Sequence, residues 1–168
     1  MTTNQNLGDF LGLTLNRGAA ETHEVFNQPT PLENYNAYGS DAALQHWMTT
    51  FNGDFAKTEV SQYGHHVGHG LIEAGFLANQ YKPEFHSHDR FGHRIDFHSA
   101  YHQLMRTAIK AGVHSLPWTT ESSVNNKKGA HVARAAMEYM HHQVDSGSGC
   151  PLTMTFAAVP AIKTTPSL

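Results

Sequence analysis

Apolar residues recur at helical spacing in five stretches of the chain, which predicts a mainly α protein of four to six helices with little strand. The most regular stretch is 129–146, where Val132, Ala135, Ala136, Tyr139, Met140, Gln143 and Val144 fall at i, i+3, i+4 and i+7 steps along one stripe. Arg134, Glu138, His141 and His142 fall on the other side. At 1.5 Å per residue this helix spans roughly 27 Å, the width of a small domain, so its stripe is expected to be core. Residues 98–112 repeat the pattern with Tyr101, Leu104, Met105, Ala108 and Ile109, and Gly112 ends them. Residues 41–51, capped by Ser40 and Asp41, align Leu44, Trp47, Met48 and Phe51, with Trp47 expected in the core.

Residues 55–79 align Val60, Tyr63, Val67 and Leu71, but they also carry Gly64, Gly68, Gly70 and Gly75. Each glycine costs a helix interior roughly 1 kcal/mol against alanine, so close packing or a break near Gly68 is expected. The last stretch, 151–161, is apolar nearly all round, with Leu152, Met154, Phe156, Ala157 and Val159. Gly147 and Gly149 are read as ending the preceding helix and Pro151 as opening this one at its first position, which implies deep burial.

The connecting segments are polar. Residues 1–22 lack a sustained period and are expected to form a flexible leader, with at best a short turn at 10–15. The prolines of Val25-Phe-Asn-Gln-Pro-Thr-Pro-Leu32 favour an extended strap. Residues 82–97 are read as a solvated connector, in which Asp89-Arg-Phe-Gly92 makes a tight turn that could close a small hairpin. Val113-His-Ser-Leu-Pro-Trp118 turns a corner, and 121–128 form a polar loop.

Composition narrows the function classes. The formal charge is −3 with 11 Lys and Arg, which leaves no basic face for a phosphate backbone, so nucleic acid is not an expected partner. No stretch reaches the roughly 20 apolar residues of a membrane span, and the first residues do not resemble a secretion signal. The single cysteine, Cys150, excludes an internal disulfide and suits a reducing compartment. The 14 histidines equal the 14 acidic residues in number, and protonating all of them would carry the formal charge from −3 to +11. Acid should therefore be poorly tolerated.

The metal-like pattern is His65-His66-Val-Gly-His69 with Glu73, since His65, His69 and Glu73 stand at successive i+4 steps. The competing reading is solvated histidines on an exposed face. His98 and His102 also stand one turn apart, either as ligands or as buried or cap-bonded side chains.

Several short blocks together carry a family resemblance: Val25-Phe-Asn-Gln-Pro29, Phe97-His-Ser-Ala-Tyr-His102, Val113-His-Ser-Leu-Pro-Trp118, residues 129–136 and Cys150-Pro-Leu-Thr-Met-Thr-Phe-Ala-Ala158. In this order and spacing they resemble the AidB-like branch of the acyl-CoA dehydrogenase flavoproteins, in its amino-terminal helical domain, from about His23 to Ile162. The resemblance implies residues 1–22 as a leader, 23–162 as that domain and 163–168 as a truncated tail departing from the family where Thr164, Thr165 and Pro166 stand. It implies a parent that oxidises acyl-CoA thioesters with FAD, is cytoplasmic, and pairs this domain with flavin and carboxy-terminal domains in a homo-oligomer. The family's flavin loop and catalytic glutamate fall outside this sequence, so the resemblance carries over no catalytic residue and no cofactor for this chain alone. Thr153, Met154 and Thr155 are the candidates to approach the flavin or substrate pocket. A histidine-rich metal-binding or protein-interaction module is the alternative.

Overall fold

The computed structural model describes Asn27, Pro29 and residues 32–89, 92–119 and 128–165; the fold set out here lies in the unit that begins at Asn34. It is mainly helical. The described residues form helices α1 (Ala42–Thr50), α2 (Lys57–His66), α3 (Ile72–Gln80), α4 (Ser99–Ala111), α5 (Ala130–His142) and α6 (Ser146–Lys163), with an antiparallel hairpin of β1 (Glu84–Asp89) and β2 (Gly92–Asp96) between α3 and α4. The expectations for the leader, for the strap apart from Asn27, Pro29 and Leu32, and for most of the 121–128 loop fall outside the described residues.

Helices α2 and α3 run on through a π-helical turn, Val67–Leu71, so the predicted 55–79 helix exists with a local change of pitch. Gly64, Gly68 and Gly75 have the expected cause, close packing, whereas Gly70 is exposed with no crowding neighbour. Residues 34–40 cross it as a strap whose backbone donates from Tyr35 N to Gly68 O (3.4 Å) and from Ala37 N to Gly64 O (3.0 Å). A Cβ on Gly68 would meet the Tyr35 carbonyl oxygen at 1.8 Å, and one on Gly75 would meet the Val144 carbonyl oxygen at 2.3 Å. Only glycine admits these backbones so closely.

The core collects Val60, Tyr63, Val67 and Leu71 from the rod, Leu104 and Ala108 from α4, Met137 and Met140 from α5, and Leu152 from α6. α2 packs on α5, α3 on α4, and α6 on both α4 and α5. His98 caps α4, its Nδ1 accepting from Ala100 N at 3.2 Å, so the cap reading holds for this histidine, while His102 is exposed. Ile109, placed on the α4 stripe, is exposed at its rim.

Three expectations about burial are corrected. Trp47 is 52% exposed and stacks on the exposed Phe51 with ring centroids 5.6 Å apart. The nine-residue α1 meets its neighbours along one line, and that line takes Met48 and half of Leu44. On α5 the buried face is rotated from the predicted stripe. Ala133, Arg134, Met137 and His141 are buried with Ala136 and Met140, whereas Ala135, Tyr139 and Gln143 are exposed.

The third correction concerns α6, which starts at Ser146 rather than Pro151. Asp145 is its cap, with Oδ2 accepting from Ser148 N (2.7 Å) and Oδ1 from Gly147 N (3.3 Å), so the glycines lie inside the first turns. Deep burial is also wrong: only Ser148, Gly149 and Leu152 of this helix are buried. Pro151, Phe156 and Val159 are half-buried and the other apolar residues of the helix, Met154 and Ile162 among them, are exposed, because α4 and α5 touch it along one side.

The 82–97 connector does contain the small hairpin. Phe85 faces Ile95 and His86 faces Arg94, with an irregularity between His86 and Asp89; the turn residues Arg90 and Phe91 fall outside the described residues.

Candidate functional site

The site is the outer face of α6 and the polar network beneath it. α6 is seated by a fully buried relay. Tyr63 Oη lies 2.7 Å from His141 Nδ1, and His141 Nε2 lies 2.8 Å from Ser148 Oγ. Burial removes water from the ring and lowers the His141 pKa to about 4, outweighing the upward pull of Asp145 and Glu138; His142 adds a smaller downward push. The imidazole is thus neutral at neutral pH, and it bonds a hydroxyl through each nitrogen. Asp145 is tied back to α3 by Asn79 Nδ2, which donates to its Oδ1 at 3.2 Å. Although burial opposes its charge, the hydrogen bonds from Ser148, Asn79 and Gly147 together hold its carboxyl below the usual range.

One turn along, Arg134 forks onto Glu138, Nη2 reaching Oε1 at 2.6 Å and Nη1 reaching Oε2, while Nε donates to Val113 O at 2.9 Å. Its guanidinium carbon also sits 3.9 Å from the Phe156 ring centroid. Glu138 Oε1 further accepts from Thr153 Oγ1. A buried charge is tolerable only when satisfied in this way. The sequence reading missed this network because it placed Arg134 and His141 on the solvent side.

Pro160 supplies a signal that was legible. Proline has no N–H, so the Phe156 carbonyl four residues earlier loses its helical donor. Trp118 Nε1 donates to that carbonyl at 3.0 Å, and the two rings stack at 5.2 Å between centroids. The corner residue therefore pins the far half of α6.

Of the pocket candidates, Thr153, Met154 and Thr155 are all exposed, Met154 at 68%. Thr155 Oγ1 donates to Pro151 O at 2.9 Å. Both hydroxyl protons are thus committed inward, and the outer surface offers hydroxyl lone pairs beside an apolar thioether.

The metal candidates come together only in part. The His65 and His69 rings lie 3.9 Å apart between centroids, but the π turn interrupts the α-helical register before Glu73. Among the described residues no group of three or more His, Cys, Asp or Glu is placed to hold an ion. Cys150 is exposed and free. No helix among the described residues is long and apolar enough to cross a membrane.

Residues 27–168 match the family model described as "Adaptive response protein AidB N-terminal domain". The chain is also 42% identical over 146 residues to the Escherichia coli (strain K12) protein named "Putative acyl-CoA dehydrogenase AidB", an alignment that covers 84% of this chain and 26% of that protein.

Proposed function

Because the chain belongs to the AidB amino-terminal domain family, we propose that it is the helical wall against which the flavin and carboxy-terminal domains of an FAD-dependent acyl-CoA dehydrogenase assemble. The observation that carries this reading is the uncovered apolar face of α6, where Met154 is 68% and Ile162 53% exposed in a helix whose start is otherwise locked into the core. Apolar surface of this kind marks an interface. The chain spans about a quarter of the relative it matches, which leaves ample further chain to cover that face.

Thr153, Met154 and Thr155 fit one border of a flavin or acyl pocket and no more. Their hydroxyl oxygens can accept, and Met154 can lie against a ring or an acyl chain. The N-terminus of α6, which would otherwise suit a phosphate, already holds the Asp145 carboxylate. When bound, the flavin would supply the hydride-accepting chemistry. The role of this chain is to exclude water and to orient. We place the assembly in the cytoplasm, as a homo-oligomer without nucleic-acid contact from this domain; the low count of basic residues and the unpaired Cys150 support that placement.

The test is to purify the chain with and without co-expressed flavin and carboxy-terminal domains. The 168-residue chain alone should retain no FAD and oxidise no acyl-CoA, while the reconstituted assembly should do both. Yellow protein from the chain alone, bleached by an acyl-CoA, would overturn the assignment.

A further inference from the structure

We propose that His65 and His69 form a two-imidazole site for a divalent transition-metal ion, Cu(II) in preference to Ni(II) or Zn(II), separate from the α6 face. The two rings approach to 3.9 Å between centroids across the start of the π turn, closer than the 6.3 Å between His65 and its sequence neighbour His66. His69 Nδ1 lies 2.8 Å from the His65 carbonyl oxygen. A carbonyl can only accept, so Nδ1 carries the proton and Nε2 keeps its lone pair for a metal. A backbone carbonyl that fixes the tautomer of a ligating histidine is the usual outer-shell arrangement.

Both ligands stand on one rigid rod, seated by the strap bonds to Gly64 and Gly68 on either side of His65 and His66. π-helical turns in α-helices recur at functional positions. His65 is exposed and lines an open cavity of about 350 Å³ with Asn36, Ser61, Gln62 and His66, and His69 is half-buried outside that lining, so water that completes the coordination reaches the pair from the His65 side. With two imidazole nitrogen ligands and no third His, Cys, Asp or Glu placed to join them among the described residues, the affinity follows the intrinsic order of the metals, which places Cu(II) first.

The experiment is calorimetric titration of the tag-free chain, carrying Cys150→Ser to remove the thiol, with CuCl2, NiCl2 and ZnCl2 at neutral pH. One equivalent of Cu(II) should bind more tightly than either other ion. His65→Ala and His69→Ala should each weaken that first equivalent at least about tenfold, since losing a ligand costs no less than losing an outer-shell partner. His46→Ala, which removes an exposed histidine on α1, should leave it unchanged. Melting curves of the metal-free variants should coincide with wild type and so separate ligand loss from misfolding. Absence of a Cu(II) equivalent, equal affinity in His69→Ala, or equal weakening by His46→Ala would each overturn the site.

Discussion

Tyr63 and His141, 78 residues apart, meet at 2.7 Å in the centre of the bundle, and the other nitrogen of the same ring holds Ser148 at the start of α6. One neutral imidazole thus joins the rod, α5 and α6. Because its folded pKa is depressed to about 4 from about 6.5, the unfolded chain binds the proton that the folded chain refuses. Stability from this group is full above about pH 6.5 and is lost as pH falls towards 4, by roughly 3 kcal/mol at 1.36 kcal/mol per unit. Urea unfolding at a series of pH values should show this slope, and it should flatten in His141→Gln, which is itself less stable at pH 7. An unchanged slope in the variant would assign the acid sensitivity to other histidines. Asp145, with its carboxyl held low, contributes its own loss only at more acid pH.

Met140 is fully buried on α5. Met140→Asp should cost more than about 4 kcal/mol, because the carboxylate would have neither water nor a partner. A melting curve matching wild type would refute the core face described for α5.

Trp118→Phe keeps the stack on Phe156 but leaves that carbonyl without a donor, and it should cost about 1–3 kcal/mol. Pro160→Ala restores a helical N–H to the same carbonyl. The cost of Trp118→Phe should therefore shrink in the Pro160→Ala background, and a double-mutant cycle by chemical denaturation reads the difference. Strict additivity would show that the indole does not serve the carbonyl freed by proline.

On α6, Met154→Glu and Ile162→Lys should change the stability of the isolated chain by no more than about 0.5 kcal/mol, since both side chains are exposed. They should nonetheless impair assembly with the flavin and carboxy-terminal domains in co-purification. Normal assembly of both variants would remove α6 as the interface.

The sequence by itself determined the elements whose burial follows from local period. Val60, Tyr63, Val67 and Leu71 share the buried side of the rod, Leu104 and Ala108 that of α4, and short blocks such as those at 97–102 and 150–158 carried the family resemblance. The clash at Gly68 was foreshadowed too, because a glycine in a helix interior needs a reason. What tertiary structure alone decided is which polar groups go inside. Arg134 and His141 look like solvent-facing residues until Glu138, Val113 O, Tyr63 and Ser148 satisfy them, and these partners come from three other parts of the chain as well as from α5 itself. The same limit explains Trp47 and α6. Hydrophobic period shows that a face can be covered, but whether it is covered depends on neighbours the period does not encode: α1 meets the core along a single line, and much of the apolar side of α6 stays open.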